Sequence, residues 1–148
     1  MRVVIGMIDP DERVAGNGVL ALQAAGIVVD TGICGSAVSE QLLPYAPHRR
    51  TGRPFVLAKI AATLDGHTAA GDGTSQWITG ERARHDAHRL RAESDAIVVG
   101  AGTVRTDNPS LTVRHVDGRD PLRVVLGTAP SGARVHPCVE WQSSLEEL

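Results

Sequence analysis

Pro54-Phe-Val-Leu-Ala-Lys59, Thr63-Leu-Asp-Gly66, Ser75-Gln-Trp-Ile-Thr-Gly80, Arg89-Leu-Arg91, Asp95-Ala-Ile-Val-Val-Gly100, Gly102-Thr103, Asp107-Asn-Pro109 and Leu111-Thr-Val-Arg114 follow one another in a single stretch. The order is an apolar run, a Gly-rich polar loop, a helical pattern, then a second apolar run closing on Gly-x-Gly-Thr. Open α/β sheets bind ligands at their strand ends, and this order puts the polar groups there. Working outward, Phe55 to Ala62 reads as a buried strand and Thr63 to Gly73 as an exposed loop. Thr79 is a candidate N-cap for a helix from Gly80 to about Glu93, with Ala83, Ala87 and Leu90 as its inward stripe. Ala96 to Val99 and Leu122 to Leu126 read as strands, and Thr112 to Arg114 as a short one. Thr128 to Glu140 reads as loop, and Ser143 to Leu148 as the start of a helix.

Upstream the pattern is β-α-β-α. Arg2 to Ile8 reads as a buried strand, Asp9 to Gly18 as a loop, and Val19 to Ala25 as a helix closed by Gly26. Ile27 to Asp30 reads as a second strand, and Ser36 to Tyr45 as a helix stopped by Pro44 and Pro47. His48 to Pro54 is basic and bears Pro and Gly, the composition of a linker. The expected division is therefore 1–47, a linker at 48–53, and 54–148. The fold class expected is α/β, three-layer, with a mostly parallel sheet.

The chain has 148 residues, 42% hydrophobic and 22% charged, as a folded domain should. Aromatics are 3%, so Ala, Val and Leu must fill the core. A formal charge of -2 gives no reason to expect a nucleic-acid partner. No apolar run is long enough to span a bilayer, and Met1 to Ile8 is too short for a signal core before Asp9-Pro-Asp-Glu12. Cys34 and Cys138 are far apart, in no metal-type spacing, and no disulfide is expected. His85 and His88 sit three apart on a helix, a spacing that can chelate, but no third ligand accompanies them, so no metal is expected.

Ser75 and Trp77 lie between a loop and a helix. A hydroxyl there can bond a ligand and an indole can lie on a flat ring; equally, Trp77 can pack in a core and Ser75 can cap a turn. Arginines gather between Arg82 and Arg123, and a phosphate calls for planar bidentate donors. Arg84 and Arg89 read as a solvated helix face. Gly100-Ala-Gly102-Thr103 lets a backbone approach a ligand, with amide donors for a phosphate. Arg105 stands at the last glycine position of Gly-x-Gly-x-x-Gly, so a dinucleotide fingerprint is incomplete. Asp107 reads either as a proton relay or as the cap of the Asn108-Pro109 turn. Lys59 reads as a support of the site or as a solubilising strand residue, and Asp65 as a turn residue.

Leu-Asp-Gly followed by Ser-Gln-Trp-Ile-Thr-Gly, with the later arginines and Asp-Asn-Pro, resembles the reductase domain of the bifunctional riboflavin-biosynthesis deaminase/reductase family. The resemblance implies a dihydrofolate-reductase-like fold, incomplete here, preceded by a β-α-β-α remnant of a cytidine-deaminase-like domain. It implies NADPH as cofactor and reduction of 5-amino-6-(5-phosphoribosylamino)uracil to the ribitylamino product in the cytoplasm. By position it assigns Ser75, Arg91, Leu111 and Arg114 to the substrate, with both arginines at its phosphate. It assigns Ala61, Trp77, Thr103, Asp107 and Thr128 to the cofactor, and Asp107 is the catalytic candidate. Val3 to Arg50 resembles the tail of the deaminase domain, through Ile8-Asp-Pro10, Val14-Ala-Gly-Asn-Gly18 and Ala25-Gly-Ile27. The His-x-Glu and Pro-Cys-x-x-Cys of a zinc deaminase are absent, so deamination is not expected. Neither is the family's later Glu-Gly-Gly segment present before Leu148. The chain reads as a fragment, a weak reductase by itself that self-associates through an exposed sheet edge. Two alternatives stay open: a related reductase with another substrate, and a non-catalytic remnant.

Overall fold

Parallel pairing organises both halves of the chain in the computed structural model, which describes residues 1–142; the helix expected at 143–148 lies outside them. Two compact units form, Met1–Ala58 and a second from Lys59 onward.

In the first unit β1 (Arg2–Ile5) pairs in parallel with β2 (Val28–Thr31). The crossover is α1 (Asn17–Ala24), ended by Gly26 at φ 75°, the left-handed position that favours glycine. Neither strand is buried. Val4 is 54% exposed and Val28 60%: the short helices of this unit leave one face of the two-stranded ribbon open.

The expected second helix divides into α2 (Gly35–Gln41) and α3 (Tyr45–Thr51). The prolines start a helix here rather than stop one. Pro44 caps α3 and Pro47 lies in its first turn, where a missing N–H costs nothing. Most of the expected linker is thus helical, up to Gly52 at φ 69°. Asp11 ties the loop after β1 to this helix. Its carboxylate takes Arg13 Nη2 at 2.8 Å and the Arg49 guanidinium, and these bonds, Arg13 first, hold it well below the usual carboxylate range. Tyr45 Oη donates to Asp9 at 2.9 Å in the same place.

In the second unit β3 (Ala96–Gly100), β4 (Leu122–Leu126) and β5 (Val139–Trp141) form an all-parallel sheet in the order β3-β4-β5. α4 (Glu81–Glu93) precedes β3, and α5 (Ala101–Asp107) follows it directly from Gly100. α5 lies on β3 and β4, and the core forms between them: Ala101, Val104, Leu111, Val125, Ala129 and Val135. These are small aliphatic residues, as the low aromatic content requires.

Four expectations change from Phe55 onward. Phe55 to Ala62 forms no strand and is open to solvent, with Val56 81% and Ile60 76% exposed; its composition suits a strand, but no segment among the described residues pairs with it. Thr112 to Arg114 is irregular, held by side-chain bonds instead of a ladder. The expected loop before Glu140 ends in β5, too short for periodicity to reveal. The stripe expected on α4 is also shifted: Ala83 is exposed, while His88, 5% exposed, is the buried position.

Candidate functional site

All nine residues singled out for a ligand belong to the second unit. Ser75, Arg91, Asp107, Leu111 and Arg114 meet along the end of α5 and the segment that runs from it to Arg114, whereas the contacts of Trp77 and Thr128 are to Arg84 and Gln142. Gly100 turns the chain from β3 into α5, leaving Thr103 in the first turn and Asp107 at the last position, both exposed. Asn108 at φ 41° and Leu111 at φ 54° then take left-handed conformations. Such backbone is costly for residues with a side chain, of the order of 1–3 kcal/mol each, and needs surroundings that impose it. Burial does so for Leu111, and a side-chain hydrogen bond for the exposed Asn108. Leu111 is 6% exposed within the core cluster, and Asn108 Oδ1 accepts the Arg134 amide at 2.8 Å. The Leu111 side chain therefore serves the core, and a ligand would meet this residue through its backbone.

Ser75 Oγ donates to Asp107 Oδ1 at 3.4 Å, which joins the loop before α4 to the end of α5. A substrate-side candidate and the catalytic candidate are thereby in contact. Asp107 does not cap the Asn108-Pro109 turn; α5 closes through the Asn108 amide on Val104 O at 3.1 Å. Trp77 is 71% exposed, which excludes the core reading for it. The Arg84 guanidinium stacks on its ring at 4.5 Å from the centroid, and Arg84 Nη1 donates to Thr79 O at 2.8 Å. Arg84 thus braces the indole instead of lining a purely solvated face. Arg89 is a solvated pairing residue as expected, bonded to Asp86 and Glu93 at 2.8 Å each. Ala61 is partly buried and Thr128 exposed, the latter accepting from Gln142 Nε2 at 3.0 Å. Lys59 is exposed, and Asp65 accepts from Thr63 in a tight turn.

Arg91 and Arg114 converge from α4 and the 108–114 segment. Arg91 Nη1 donates to Thr112 O at 2.6 Å, and Arg114 Nη1 to Thr112 Oγ1 at 2.8 Å and to Ser110 Oγ. Among the described residues neither arginine has a carboxylate within ion-pair distance, and the buried Arg91 Nε has no partner. Burial, and then the neighbouring Arg114 charge, lower the Arg91 pKa against the opposing pull of Asp120. Two guanidinium groups that no carboxylate bonds among the described residues, one of them partly desolvated, have donors that suit an anion.

Sequence reading missed His88, buried between these arginines. Its spacing from His85 suggested a chelate; its position on the inner face of α4 was the available signal. The missed group suited to metal is His136, Cys138 and Glu140, whose ligand atoms lie within 4.8 Å of one another. Alternation along an extended chain places such residues on one side. Each already has a protein partner: His136 Nε2 meets Pro130 O at 3.1 Å, Cys138 Sγ lies 3.5 Å from His136 Nδ1, and Glu140 Oε1 accepts the Ala129 amide at 3.0 Å. The group latches the 128–136 loop to β5.

Residues 54–138, more than half of the chain, match the RibD C-terminal domain. The chain belongs to the RibD C-terminal domain family. The riboflavin biosynthesis protein RibD of Chlamydia trachomatis is 51% identical over 140 residues, covering 90% of this chain and 37% of the relative. That of Bacillus amyloliquefaciens is 48% identical over 128 residues, covering 86% and 34%. A Thermotoga maritima diaminohydroxyphosphoribosylaminopyrimidine deaminase/5-amino-6-(5-phosphoribosylamino)uracil reductase superposes with a TM-score of 0.84 at 38% identity, over 98% of this chain and 43% of that one. The chain spans less than half the length of these RibD relatives. Its α/β fold with parallel sheets is shared with the Thermotoga maritima structure.

Proposed function

We propose that the second unit carries part of a reductase site acting on 5-amino-6-(5-phosphoribosylamino)uracil, with NADPH as reductant, in riboflavin biosynthesis. The observation that carries this reading is the carboxylate-free pair Arg91 and Arg114 beside a short polar segment that ends at the Ser75–Asp107 contact. Arg91 and Arg114 hold the 5-phosphate of the substrate, and Ser75 with the Leu111 backbone orients its polar groups. The residues assigned to the cofactor suit a nicotinamide: Trp77 offers an exposed, braced indole face, and Thr103, Asp107 and Thr128 offer exposed polar groups. NADPH, when bound, supplies the hydride for the sugar C1′. On this reading Asp107, which accepts from Ser75, relays the proton that the ring-opened sugar must gain. Alignment of the two partners accounts for much of such a rate enhancement, and the protein need add little chemistry of its own.

A second reading, a ligand-binding chain without turnover, is favoured by the unpaired Phe55 to Ala62, which carries Ala61 on the cofactor side. One assay separates the readings. NADPH oxidation is followed with the phosphoribosylamino-pyrimidine and with a panel of pterins, alongside direct ligand binding. Oxidation confined to the phosphoribosylamino-pyrimidine is expected. Oxidation with pterins alone points to another dihydrofolate-reductase-like substrate, and binding without oxidation supports the second reading.

A further inference from the structure

We propose that His88 is a positioning residue of the anion site, one that holds both arginines by offering a single unprotonated nitrogen. This rests on the phosphate reading of Arg91 and Arg114. His88 is 5% exposed, the one buried residue of α4. Its Nδ1 accepts the Arg114 main-chain amide at 3.1 Å, a bond spanning 26 residues of sequence. Arg91 Nη1 approaches the same nitrogen at 3.4 Å. The His115 ring meets the His88 ring edge-on, with centroids 4.5 Å apart. One lone pair thus fixes the backbone of one arginine and faces the guanidinium of the other.

The chemistry requires a neutral acceptor at this point. An amide that donates to Nδ1 places the ring proton of a neutral imidazole on Nε2. A lysine or arginine here could accept nothing. A carboxylate would accept, but it would also neutralise the arginines and compete with the anion they are to bind. Imidazole supplies an acceptor without supplying a counter-charge. Arg91 Nε is buried and has no hydrogen-bond partner, so no protein group neutralises that end of the guanidinium. The groups that face His88 are all basic or neutral: Arg91 and His85 from α4, and Arg114 and His115 from the segment packed on it. Asp120 is the acid that acts on Arg91, and its Oδ1 is already bonded to the Val113 amide at 2.7 Å.

The test compares the 148-residue chain with H88N, H88Q and H88L for binding of ribose 5-phosphate and of ribose. Asn places an amide oxygen near the Nδ1 position, whereas Gln places it near Nε2. H88L is expected to weaken ribose 5-phosphate by roughly tenfold or more, the scale of hydrogen bonds to charged groups. H88N should restore most of that affinity and H88Q little of it, while ribose binding changes in none of them. A role in stability alone would not separate Asn from Gln, so equal binding by H88N and H88Q overturns the proposal. If H88L does not fold, the Asn–Gln comparison still decides. R91A and R114A serve as the reference. If they leave ribose 5-phosphate binding intact, the phosphate reading itself fails; if they weaken it while the His88 variants do not, only the present inference fails.

Discussion

Among the described residues neither arginine has a carboxylate within ion-pair distance to release, so on the phosphate reading the loss on removing either should be direct. Arg91→Ala and Arg114→Ala should each weaken a phosphorylated ligand by about 1.5–3 kcal/mol. An unphosphorylated analogue should hardly respond; calorimetry with both ligands measures the difference, and equal losses would assign the arginines to the fold instead. His88 makes a second prediction, in stability. Burial, reinforced by Arg91 and Arg114, lowers its pKa from 6.5 to about 4. Above pH 6.5 neither the folded nor the unfolded chain is protonated there, and the group has no effect on pH dependence. Between 6.5 and about 4 the unfolded chain takes up a proton that the folded one refuses. Stability therefore falls as pH falls through that window, by at most ~1.4 kcal/mol per pH unit. Urea unfolding at several pH values should show this slope, and H88N should flatten it; an unchanged slope in H88N would place the effect on other groups.

Among the elements, the step from β4 into the loop that carries Thr128 depends on Gly127. Its φ is 100°, its amide donates to Trp141 O at 2.8 Å, and an added methyl would stand 3.1 Å from Ala101 Cβ. Gly127→Ala should destabilise the second unit on the order of 1–3 kcal/mol through backbone strain and contact with α5. Chemical denaturation measures it, and a change below about 0.5 kcal/mol would show that the loop relaxes freely. The same elements show what the sequence could and could not reveal. The apolar runs of β3 and β4 were legible because each is a local property of five residues. α5 was not, since Gly-x-Gly-Thr reads as a loop until burial of Ala101 and Val104 on the sheet makes it a helix. Pro44 and Pro47 misled because proline both ends and begins helices, and only the following residues decide. The contact of Ser75 with Asp107 spans 32 residues and has no local signature; local reading marked each residue separately with alternatives open, and only the family resemblance assigned both to one site. Phe55 to Ala62 failed in the other direction. Its composition was right, but a strand is a relation between segments, and no partner lies among the described residues.

For the molecule as a whole, unpaired strand-forming surface decides how the isolated chain behaves. β3 and β5 are the edges of the three-stranded sheet, with Val98 55% and Val139 44% exposed, and Val56 and Ile60 stand in solvent on a run with no ladder. Such surface is a template for a second copy. We expect self-association that rises with concentration, followed by sedimentation velocity, and suppression of it by Ile60→Lys or Val56→Lys, since a charge on an unpaired strand blocks pairing. A monomer at every concentration would remove this expectation. The cofactor should report the same openness. Trp77, Thr103, Asp107 and Thr128 are all exposed, so whatever they contact is desolvated on one side only. Electrostatic contacts to a dinucleotide are stronger where water is excluded. On the proposed reading, NADPH should therefore bind this 148-residue chain more weakly than it binds a longer RibD protein assayed beside it, and turnover should be correspondingly slow. Side-by-side fluorescence titration and NADPH oxidation make the comparison, and equal affinity with equal turnover would show that the residues described here suffice.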